Sequence, residues 1–279
     1  MVTIFLNRTG KERFIGHGRL KKLVEFVFSH EERSIEGKLE ITLVQCDEIR
    51  KLKHEFFGID RDTDVIAFPY GDSEPDSIWG ELVLCPSYIR EEALEKGIAL
   101  EEEYLRVTIH GLLHLLDYND QSLPSRKQME ERQEFLLRAF QEREVREKLM
   151  TMATEARHQA YVPASGFRVG AALEAQGAIF SGCNVENASL ALTVCAERVA
   201  LFKAVSEGYR VFRRLAVVSD ETDLCFPCGA CRQVLFEFSP DLELLCGNSL
   251  GHYQVHGLAE LFPFPFRLRE RSPGSREET

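Results

Sequence analysis

Three cysteines and one glutamate in the second half of the sequence have the types and the spacing that zinc chemistry needs. Cys195 begins one predicted helix, and a later Pro-Cys-Gly-Ala-Cys segment places Cys228 and Cys231 at the start of another. A helix N-terminus favours negative charge and so helps to keep a cysteine as the metal-binding thiolate. Three cysteine ligands leave the fourth position of a tetrahedral zinc ion open for water, as in a catalytic site. Glu197 lies two residues after Cys195, where a carboxylate could exchange protons with that water without binding the metal.

A structural zinc site is the alternative interpretation of these cysteines. It would need a fourth thiolate, which Cys183, Cys225 or Cys246 could supply. The catalytic interpretation is favoured because Cys-Ala-Glu and Pro-Cys-Gly-Ala-Cys occur together at a spacing that suits zinc-dependent deamination of a nucleobase. The cysteines interpreted as small core residues rather than ligands are Cys46, Cys85, Cys225 and Cys246.

The segment from about Leu149 to Phe266 resembles the small homotetrameric cytidine deaminases, over essentially the whole length of that family. The matching stretches are EARHQAYVPASGFRVGAAL, GCNVENASL, CAERVALFKAVSEG, PCGACRQVLFEF and ELFPFPF. The resemblance implies zinc-dependent hydrolysis of cytidine or deoxycytidine to uridine or deoxyuridine. It also implies a homo-oligomer, a tetramer built through this part of the chain.

The same resemblance implies roles for individual residues. The zinc ligands that it implies are Cys195, Cys228 and Cys231. Glu197 is expected to move protons between water and the cytosine ring. The residues expected to contact the nucleoside are Phe167, Asn184, Glu186 and, from a neighbouring subunit, Phe266. Arg198 is expected to compensate the negative charge of the three thiolates, and a solvated surface arginine is the alternative.

Two positions depart from the deaminase pattern. Ala164 stands where the family usually has the tyrosine of Pro-Tyr-Ser, and Leu190 stands where the family has the tyrosine of Asn-Ala-Ser-Tyr. Neither change touches the zinc chemistry, but both could alter the subunit contacts or the pocket wall. A deaminase that acts on polynucleotide is a further alternative, which the sequence disfavours because Glu186 beside the ribose would repel a 3′ phosphate.

A histidine pair in the first half suits a second metal site. His110 and His114 are four residues apart on a predicted helix, so they project about 40° apart and both rings could bind one ion. Gly111 occupies the position where a zinc protease has its glutamate base, which disfavours peptide hydrolysis of that type. The chain leaves the helix at Asp117 and would return Asp120 to the same side as a third ligand. An incidental histidine pair with a solvated Asp120 is the alternative.

This part of the chain, roughly residues 1–145, resembles the YbeY family of metal-dependent endoribonucleases, which is associated with ribosomal RNA maturation. The family pattern His-Gly-x-Leu-His-Leu-x-Gly-Tyr-Asp-His matches IHGLLHLLDYND, and DTDVIAFPY and GELVLC match two family strands. The resemblance implies zinc held by His110, His114 and Asp120, and a partnership with ribosomal RNA or the ribosome. Asp120 replaces the third histidine, Asp117 replaces a glycine, and Phe57 replaces an arginine. Because a cation near the scissile phosphate stabilises the transition state, a non-catalytic scaffold or ribosome-binding module is the alternative.

The elements that must position these residues follow from hydrophobic periodicity. Strands are predicted at VTIFL, KLEITLVQC, DVIAFP and ELVLC, and helices at RLKKLVEFVF, DEIRKLKHEF and IALEEEYLRVTIHGLLHLL. A charged helix beginning at Pro124 leads into a predicted hairpin at FRVGAALEA and AIFSGCNVE. It is followed by a helix at ALTVCAERVALFKAVSEG, a strand at RRLAVVSD, a helix at GACRQVLFEFS and strands at LELLC and HYQVH.

This pattern predicts an α/β protein of two domains. Residues 1–145 are expected to form an α+β domain, and residues 146–279 a three-layer α/β/α sandwich, because strands interleave with helices there. Residues 268–279 are polar and are expected to be a disordered tail.

Composition limits the location and the partners. The 279 residues carry a net charge of −11, which argues against a surface built mainly for nucleic acid. A local basic cluster is one route to RNA and a solvated helix face is its alternative; its members are Lys11, Arg13, Arg19, Lys21 and Lys22. No apolar run approaches the roughly 20 residues of a membrane span, and the first residues lack the pattern of a signal peptide. We therefore expect a cytoplasmic protein with no membrane partner and with reduced thiols.

Overall fold

Two compact units make up the chain, Met1–Glu142 and Arg143–Thr279. The computed structural model describes residues 2–8, 14–32, 37–70 and 78–267. The predicted disordered tail, 268–279, lies outside these ranges, as do Lys11 and Arg13 of the basic cluster. None of the helices within these ranges combines the length and the apolar character that a membrane span requires.

The N-terminal unit contains a four-stranded mixed sheet and the helices that cover it. Its strands are β1 (Val2–Arg8), β2 (Gly37–Leu43), β3 (Val65–Pro69) and β4 (Ile78–Leu84). Its helices are α1 (His17–His30), α2 (Cys46–Phe57), α3 (Pro86–Lys96), α4 (Leu100–Leu115) and the first part of α5 (Leu123–Arg157). The strand order is β1-β2-β4-β3, in which β1, β2 and β4 are parallel and β3 runs antiparallel along the edge.

Alternation along the strands determines which face of this sheet is buried. Leu39 and Ile41 of β2 and Leu82 of β4 point to one side and join the main core with α1, α4 and α5. Ile66 of β3 and Val83 of β4 point to the other side, where α2 covers a smaller cluster. The sheet is thus buried against helices on both sides of its β3–β4 edge.

Helix α4, which carries the histidine pair, lies very close to the sheet. A methyl group on Gly111 would come within 2.8 Å of the Leu82 side chain and 3.0 Å of the Val65 side chain, so a larger residue here would require these side chains to shift. Gly111 therefore faces the sheet, and the absence of a side chain after His110 lets α4 pack closely against β3 and β4.

The C-terminal unit is a five-stranded mixed sheet between two helical layers. Its strands are β5 (Val169–Ala175), β6 (Ala178–Cys183), β7 (Phe212–Ser219), β8 (Glu243–Gly247) and β9 (Tyr253–Gly257). Its helices are the last part of α5, α6 (Ala196–Ser206), α7 (Gly229–Phe238) and α8 (Leu258–Leu261). The strand order is β6-β5-β7-β8-β9, with β7 and β8 parallel and the other neighbours antiparallel.

The two faces of this sheet have separate cores. Leu149 and Ala153 of α5 pack on one face against Ala172 and Ala216. Helices α6 and α7 pack on the other face, in a cluster that includes Leu201. The predicted α/β class and the three-layer arrangement are confirmed.

Two predictions about individual elements need correction, and one helix was not predicted. The predicted strand KLEITLVQC ends at Leu43, because Cys46 already begins α2. The predicted helix ALTVCAERVALFKAVSEG begins only at Ala196, after a short 3-10 turn at Leu190–Leu192. Helix α3, which starts with Pro86 and ends at the left-handed Gly97, was not predicted.

Candidate metal centres and nucleoside site

The N-termini of α6 and α7 meet at the three predicted cysteine ligands. Cys195 is the residue that caps α6, Cys228 caps α7, and Cys231 lies in the first turn of α7. The sulfur atoms of these residues all lie within 4.8 Å of one another, and Cys195 Sγ and Cys228 Sγ are 3.9 Å apart. Two helix N-termini directed at one cluster of sulfurs create a positive potential that favours thiolates.

The spacing of these donors fits a tetrahedral zinc ion. With Zn–S bonds of about 2.3 Å, two sulfurs of a tetrahedron are separated by about 3.8 Å. Among the residues that the structure describes, the metal-competent group around these sulfurs has three members and does not include Cys183, Cys225 or Cys246. The arrangement therefore favours the three-ligand interpretation over the structural site with a fourth cysteine.

The charge state of the cysteines is set by close contacts. A hydrogen bond with the Cys231 thiol, with help from the Arg198 guanidinium, lowers the pKa of Cys195 to about 5. The same sulfur–sulfur contact and burial raise the pKa of Cys231, because the three sulfurs cannot all be ionised without a cation. A bound metal ion would supply the positive charge that this cluster lacks.

Glu197 lies in the first turn of α6, and its side chain is almost fully enclosed. The residue is 4% exposed, and this burial raises the pKa of the carboxyl group to about 7. A carboxyl group with this pKa can both accept and return a proton near neutral pH.

Arg198 binds the cluster from the side of α6. Its Nη2 donates to the Thr193 carbonyl at 3.0 Å and to Cys195 Sγ at 3.6 Å. Its Nε is buried, and no hydrogen-bond partner for this atom occurs within the described part of the chain. Arg198 is thus not a freely solvated surface arginine.

Asn184 and Glu186 follow the end of β6 and lie against the loop that precedes β5. Both residues are buried. Asn184 Oδ1 accepts a hydrogen bond from the Val169 N–H, and Asn184 Nδ2 donates to the Phe167 carbonyl, both at 2.8 Å. Glu186 accepts hydrogen bonds from the Ser165 hydroxyl and from the Ala164 N–H.

These contacts fix the position of the loop and the ionisation state of the Glu186 carboxylate. The Ser165 hydroxyl and the Ala164 N–H lower the pKa of Glu186, so it stays ionised. Phe167 follows on the same loop and its side chain is exposed. Ser165 was not among the site residues predicted from the sequence, although the Pro-Ala-Ser segment lies within the deaminase-like stretch.

Phe266 lies near the end of the described chain, and its side chain is 69% exposed. Gln233 of α7 holds its backbone: Gln233 Nε2 donates to the Phe266 carbonyl at 2.9 Å, and the Phe266 N–H donates to Gln233 Oε1 at 3.0 Å. The backbone of Phe266 is thus held in place while its ring remains exposed. The exposure of the ring is compatible with the predicted contact between Phe266 and a neighbouring subunit.

In the N-terminal unit, the structure brings His110, His114 and Asp120 together. One ligand atom from each lies within 4.8 Å of the others, and His110 Nε2 and His114 Nε2 are 3.2 Å apart. Two nitrogens of a tetrahedral zinc site with bonds of about 2.0–2.1 Å are separated by about 3.3 Å. The spacing of the histidine nitrogens therefore suits zinc.

The hydrogen bonds of the two Nδ1 atoms show that Nε2 of each ring is available to bind a metal. His114 Nδ1 lies 3.1 Å from the Tyr118 carbonyl, and His110 Nδ1 lies 2.9 Å from Gln133 Oε1. Both oxygens accept, so each Nδ1 donates, and a ring in its neutral form then presents a lone pair on Nε2. Two lone pairs that face each other at this distance repel unless a cation lies between them. Burial and the His110 ring lower the pKa of His114, which keeps the ring neutral as a ligand must be.

The loop after α4 returns Asp120 to the histidines. Asp117 adopts a positive φ of 68°, a conformation that favours glycine, which is the residue that the YbeY pattern has at this position. Phe57, at the position of the family arginine, is 53% exposed. Of the basic cluster, Arg19 pairs with Glu101 at 2.9 Å and Lys21 lies 3.9 Å from Glu25, as on a solvated helix face.

Two protein families match the chain, one for each unit. The model of the family described as Endoribonuclease YbeY matches residues 7–141. The model described as the Cytidine and deoxycytidylate deaminase zinc-binding region matches residues 143–244.

Individual proteins give the same division. A cytidine deaminase from Sporosarcina psychrophila is 48% identical over 128 residues, which are 45% of this chain and 94% of that protein. An endoribonuclease YbeY from Thermotoga maritima is 36% identical over 112 residues, 38% of this chain and 73% of that protein. A crystal structure of cytidine deaminase from Burkholderia pseudomallei is 47% identical and covers 43% of this chain and 97% of its own, with a TM-score of 0.42.

Proposed function

This chain belongs to two families, the YbeY endoribonucleases through its N-terminal unit and the cytidine deaminases through its C-terminal unit, and from this premise we propose that it is a bifunctional enzyme. The C-terminal unit deaminates free cytidine and deoxycytidine by hydrolysis. The N-terminal unit is a metal-dependent endoribonuclease that acts on ribosomal RNA.

The observation that carries the deaminase proposal is the enclosed Glu197 beside three cysteine sulfurs. Cys195, Cys228 and Cys231 would hold zinc, which when bound supplies the Lewis acidity that makes water nucleophilic near neutral pH. Arg198 would compensate the net charge of three thiolates on one Zn²⁺.

Glu197 carries the proton transfers of the reaction. Its carboxylate takes a proton from the attacking water, whose oxygen adds to C4 of cytosine. The carboxylic acid then protonates the ring nitrogen N3, and the second proton of the water follows to the amino group, which leaves as ammonia. Burial of Glu197 supports this role, because a pKa near 7 matches both the basic and the acidic step.

The nucleoside would be recognised through its sugar. Glu186 would accept hydrogen bonds from the ribose hydroxyls. Asn184, whose amide also binds the Val169 N–H and the Phe167 carbonyl, would contact the sugar through its remaining N–H. The exposed ring of Phe167 would line the pocket. Because Glu186 stays ionised, a phosphate at the 3′ position would meet a negative charge. The proposed substrate is therefore a free nucleoside rather than a polynucleotide.

The proposed assembly is a tetramer formed by the C-terminal units, in which Phe266 reaches the site of a neighbouring subunit. The exposed and backbone-anchored Phe266 supports this arrangement. Light scattering would measure the oligomeric state, and a monomer with full activity would contradict the shared site.

The observation that carries the endoribonuclease proposal is the 3.2 Å separation of His110 Nε2 and His114 Nε2, which suits two ligands of one zinc ion. His110, His114 and Asp120 would hold the metal, and Gln133 and the Tyr118 carbonyl orient the two rings. Phe57 favours a second candidate function, a non-catalytic ribosome-binding module, because it leaves the family's arginine position without a cation.

One set of measurements on the full-length chain tests these proposals. The purified protein should contain two zinc ions, convert cytidine to uridine, and cleave RNA in a manner that chelation abolishes. Zinc in both sites without RNA cleavage would favour the ribosome-binding module. Absence of cytidine turnover from the zinc-loaded protein would contradict the deaminase proposal.

A further inference from the structure

Two cysteines of the N-terminal unit lie at the ends of neighbouring strands. Parallel strands β2 and β4 end side by side, with Leu43 opposite Leu84 and the Val44 N–H donating to the Leu84 carbonyl at 2.9 Å. Cys46 follows β2 and begins α2, and Cys85 follows β4 and caps α3. The topology therefore places residues that are 39 positions apart in the sequence next to each other.

Their side chains are in direct contact. Cys46 Sγ lies 2.8 Å from Cys85 Sγ. The Ser87 hydroxyl lies 3.1 Å from Cys46 Sγ and 3.4 Å from Cys85 Sγ, so it can donate a hydrogen bond to a thiolate on either residue. A disulfide bond is about 2.05 Å long, so the bond would form if these sulfurs came closer by about 0.8 Å.

The two sulfurs differ in their access to solvent. Cys85 is completely buried, whereas Cys46 is half-buried. Burial also raises the pKa of Cys85 to about 11, which makes it the weaker nucleophile toward a reagent in solution. An oxidant would therefore meet Cys46 first, and Cys85 would be the nearest thiol to resolve the product.

We propose that Cys46 and Cys85 form a site of reversible disulfide formation that is oxidised by low-molecular-weight disulfides such as oxidised glutathione. Neither cysteine belongs to either candidate metal centre, so the pairing of Cys46 with Cys85 does not depend on the proposed enzymatic functions.

The chemistry balances as two thiol–disulfide exchanges. The Cys46 thiolate attacks one sulfur of the oxidant, breaks its S–S bond and releases one small thiolate, which takes up the proton that Cys46 lost. The Cys85 thiolate then attacks Cys46 Sγ, breaks the mixed disulfide and releases the second small thiolate, which takes the proton of Cys85. The two protein thiols lose two electrons, and the oxidant becomes two small thiols.

The disulfide bond would affect β3, the strand against which α4 and its histidines pack. The Cys85 N–H donates to the Asp64 carbonyl at 2.9 Å, immediately before β3. Val65, the next residue, packs near Gly111 of α4, which is adjacent to His110. Oxidation would tie the start of α2 to the start of α3 and so restrain the strand on which this part of α4 rests.

The test uses the zinc-loaded full-length chain, in which the metal protects the ligand cysteines. After incubation with oxidised glutathione, the protein is denatured in the presence of a chelator, alkylated, digested without reduction and analysed by mass spectrometry. We expect a linked Cys46–Cys85 peptide, two fewer alkylated thiols of the eight, and full reversal by dithiothreitol. A stable glutathione adduct on Cys46 beside a free Cys85, or no reaction at Cys46, would overturn the proposal.

Variants separate the two steps. Cys85→Ser should stop the reaction at the glutathione adduct on Cys46, and Cys85→Ala provides the same test if the serine is not tolerated in the core. Cys46→Ser should leave Cys85 unmodified, whereas Cys183→Ser, another half-buried cysteine, should leave the linked peptide unchanged. Far-ultraviolet circular dichroism confirms that each variant is folded. Linkage of Cys85 to any other cysteine in Cys46→Ser would contradict the proposed pairing.

Discussion

Gly182 of β6 lies against Ala196 of α6, and a methyl group at residue 182 would come within 2.6 Å of the Ala196 carbonyl oxygen. The same methyl group would lie 2.6 Å from the Ala200 nitrogen. Backbone atoms cannot move aside as the end of a flexible side chain can. Because residue 182 has no side chain, the first turn of α6, which carries Cys195 and Glu197, can pack this closely against the sheet.

Gly182→Ala should consequently affect both stability and catalysis. Overpacking of this kind costs about 1–3 kcal/mol, and the displaced α6 should also lower cytidine turnover. Urea denaturation and steady-state kinetics measure the two effects. Gly257→Ala is the matched control, because a methyl group there meets nothing within 4 Å. Equal stability and activity of the two variants would show that α6 does not depend on this contact.

Glu197→Gln should leave zinc bound and remove nearly all cytidine turnover. The amide keeps the shape of the side chain but cannot carry the proton, and one general acid–base group contributes about 10²–10⁴ in rate. Cys228→Ala should instead lose the metal together with the activity. Elemental analysis and uridine formation distinguish the two variants, and retention of more than about a tenth of the rate in Glu197→Gln would refute the assigned role.

Cytidine 3′-monophosphate and single-stranded RNA should not be substrates of the C-terminal unit. The ionised Glu186 would face the 3′ phosphate and repel it. Product formation from cytidine, cytidine 3′-monophosphate and an oligonucleotide, measured at one enzyme concentration, checks this expectation. Glu186→Gln should raise the KM for cytidine while it weakens the discrimination against the phosphate. Comparable rates on oligonucleotide and nucleoside would exclude the proposed sugar contact.

Ser165→Ala should change the pH dependence of nucleoside binding. The Ser165 hydroxyl helps to lower the pKa of Glu186, so its loss moves that pKa up toward the ordinary value for glutamate. As pH falls, the variant carboxylate is protonated earlier and loses its acceptor capacity for the ribose earlier. The ratio of kcat/KM in the variant to that in the wild type should therefore decline from neutral toward acidic pH. Ser206→Ala, at the end of α6, should give a ratio that does not change with pH.

His114→Ala and Asp120→Ala should each reduce the zinc content of the full-length chain from two ions to one. Each variant removes one ligand of the histidine centre and leaves the cysteine centre intact, so cytidine turnover should persist and serve as an internal control. Asp117→Gly is the matched control, because glycine accepts the positive φ of this residue and the ligands remain. Full zinc retention in Asp120→Ala would remove Asp120 from the ligand set.

Local patterns in the sequence predict the parts of the two sites that depend on a single helix or turn. Cys228 and Cys231 are close because they share the start of α7, and His110 and His114 because they share one face of α4. Gln133, which binds His110, comes from a different helix, and no spacing rule connects the two residues.

Contacts that depend on strand order could not be predicted in the same way. Cys46 and Cys85 are in contact only because β4 lies beside β2, and the sequence predicted both as separate core residues. Helix α3 was missed because it buries few residues, so its apolar periodicity is weak.

One short helix, α7, carries both two proposed zinc ligands and the residue that binds the C-terminal segment at Phe266. Cys228 and Cys231 stand at its beginning, and Gln233, two residues further on, binds the backbone of Phe266. At about 1.5 Å of rise per residue, the metal ligands and this clamp are separated by less than two helical turns. A change in the first turn of α7 should therefore alter the position of Gln233 as well. Loss of zinc and truncation of the chain before Phe266 should therefore be non-additive in a double-mutant cycle, because each perturbs the same helix.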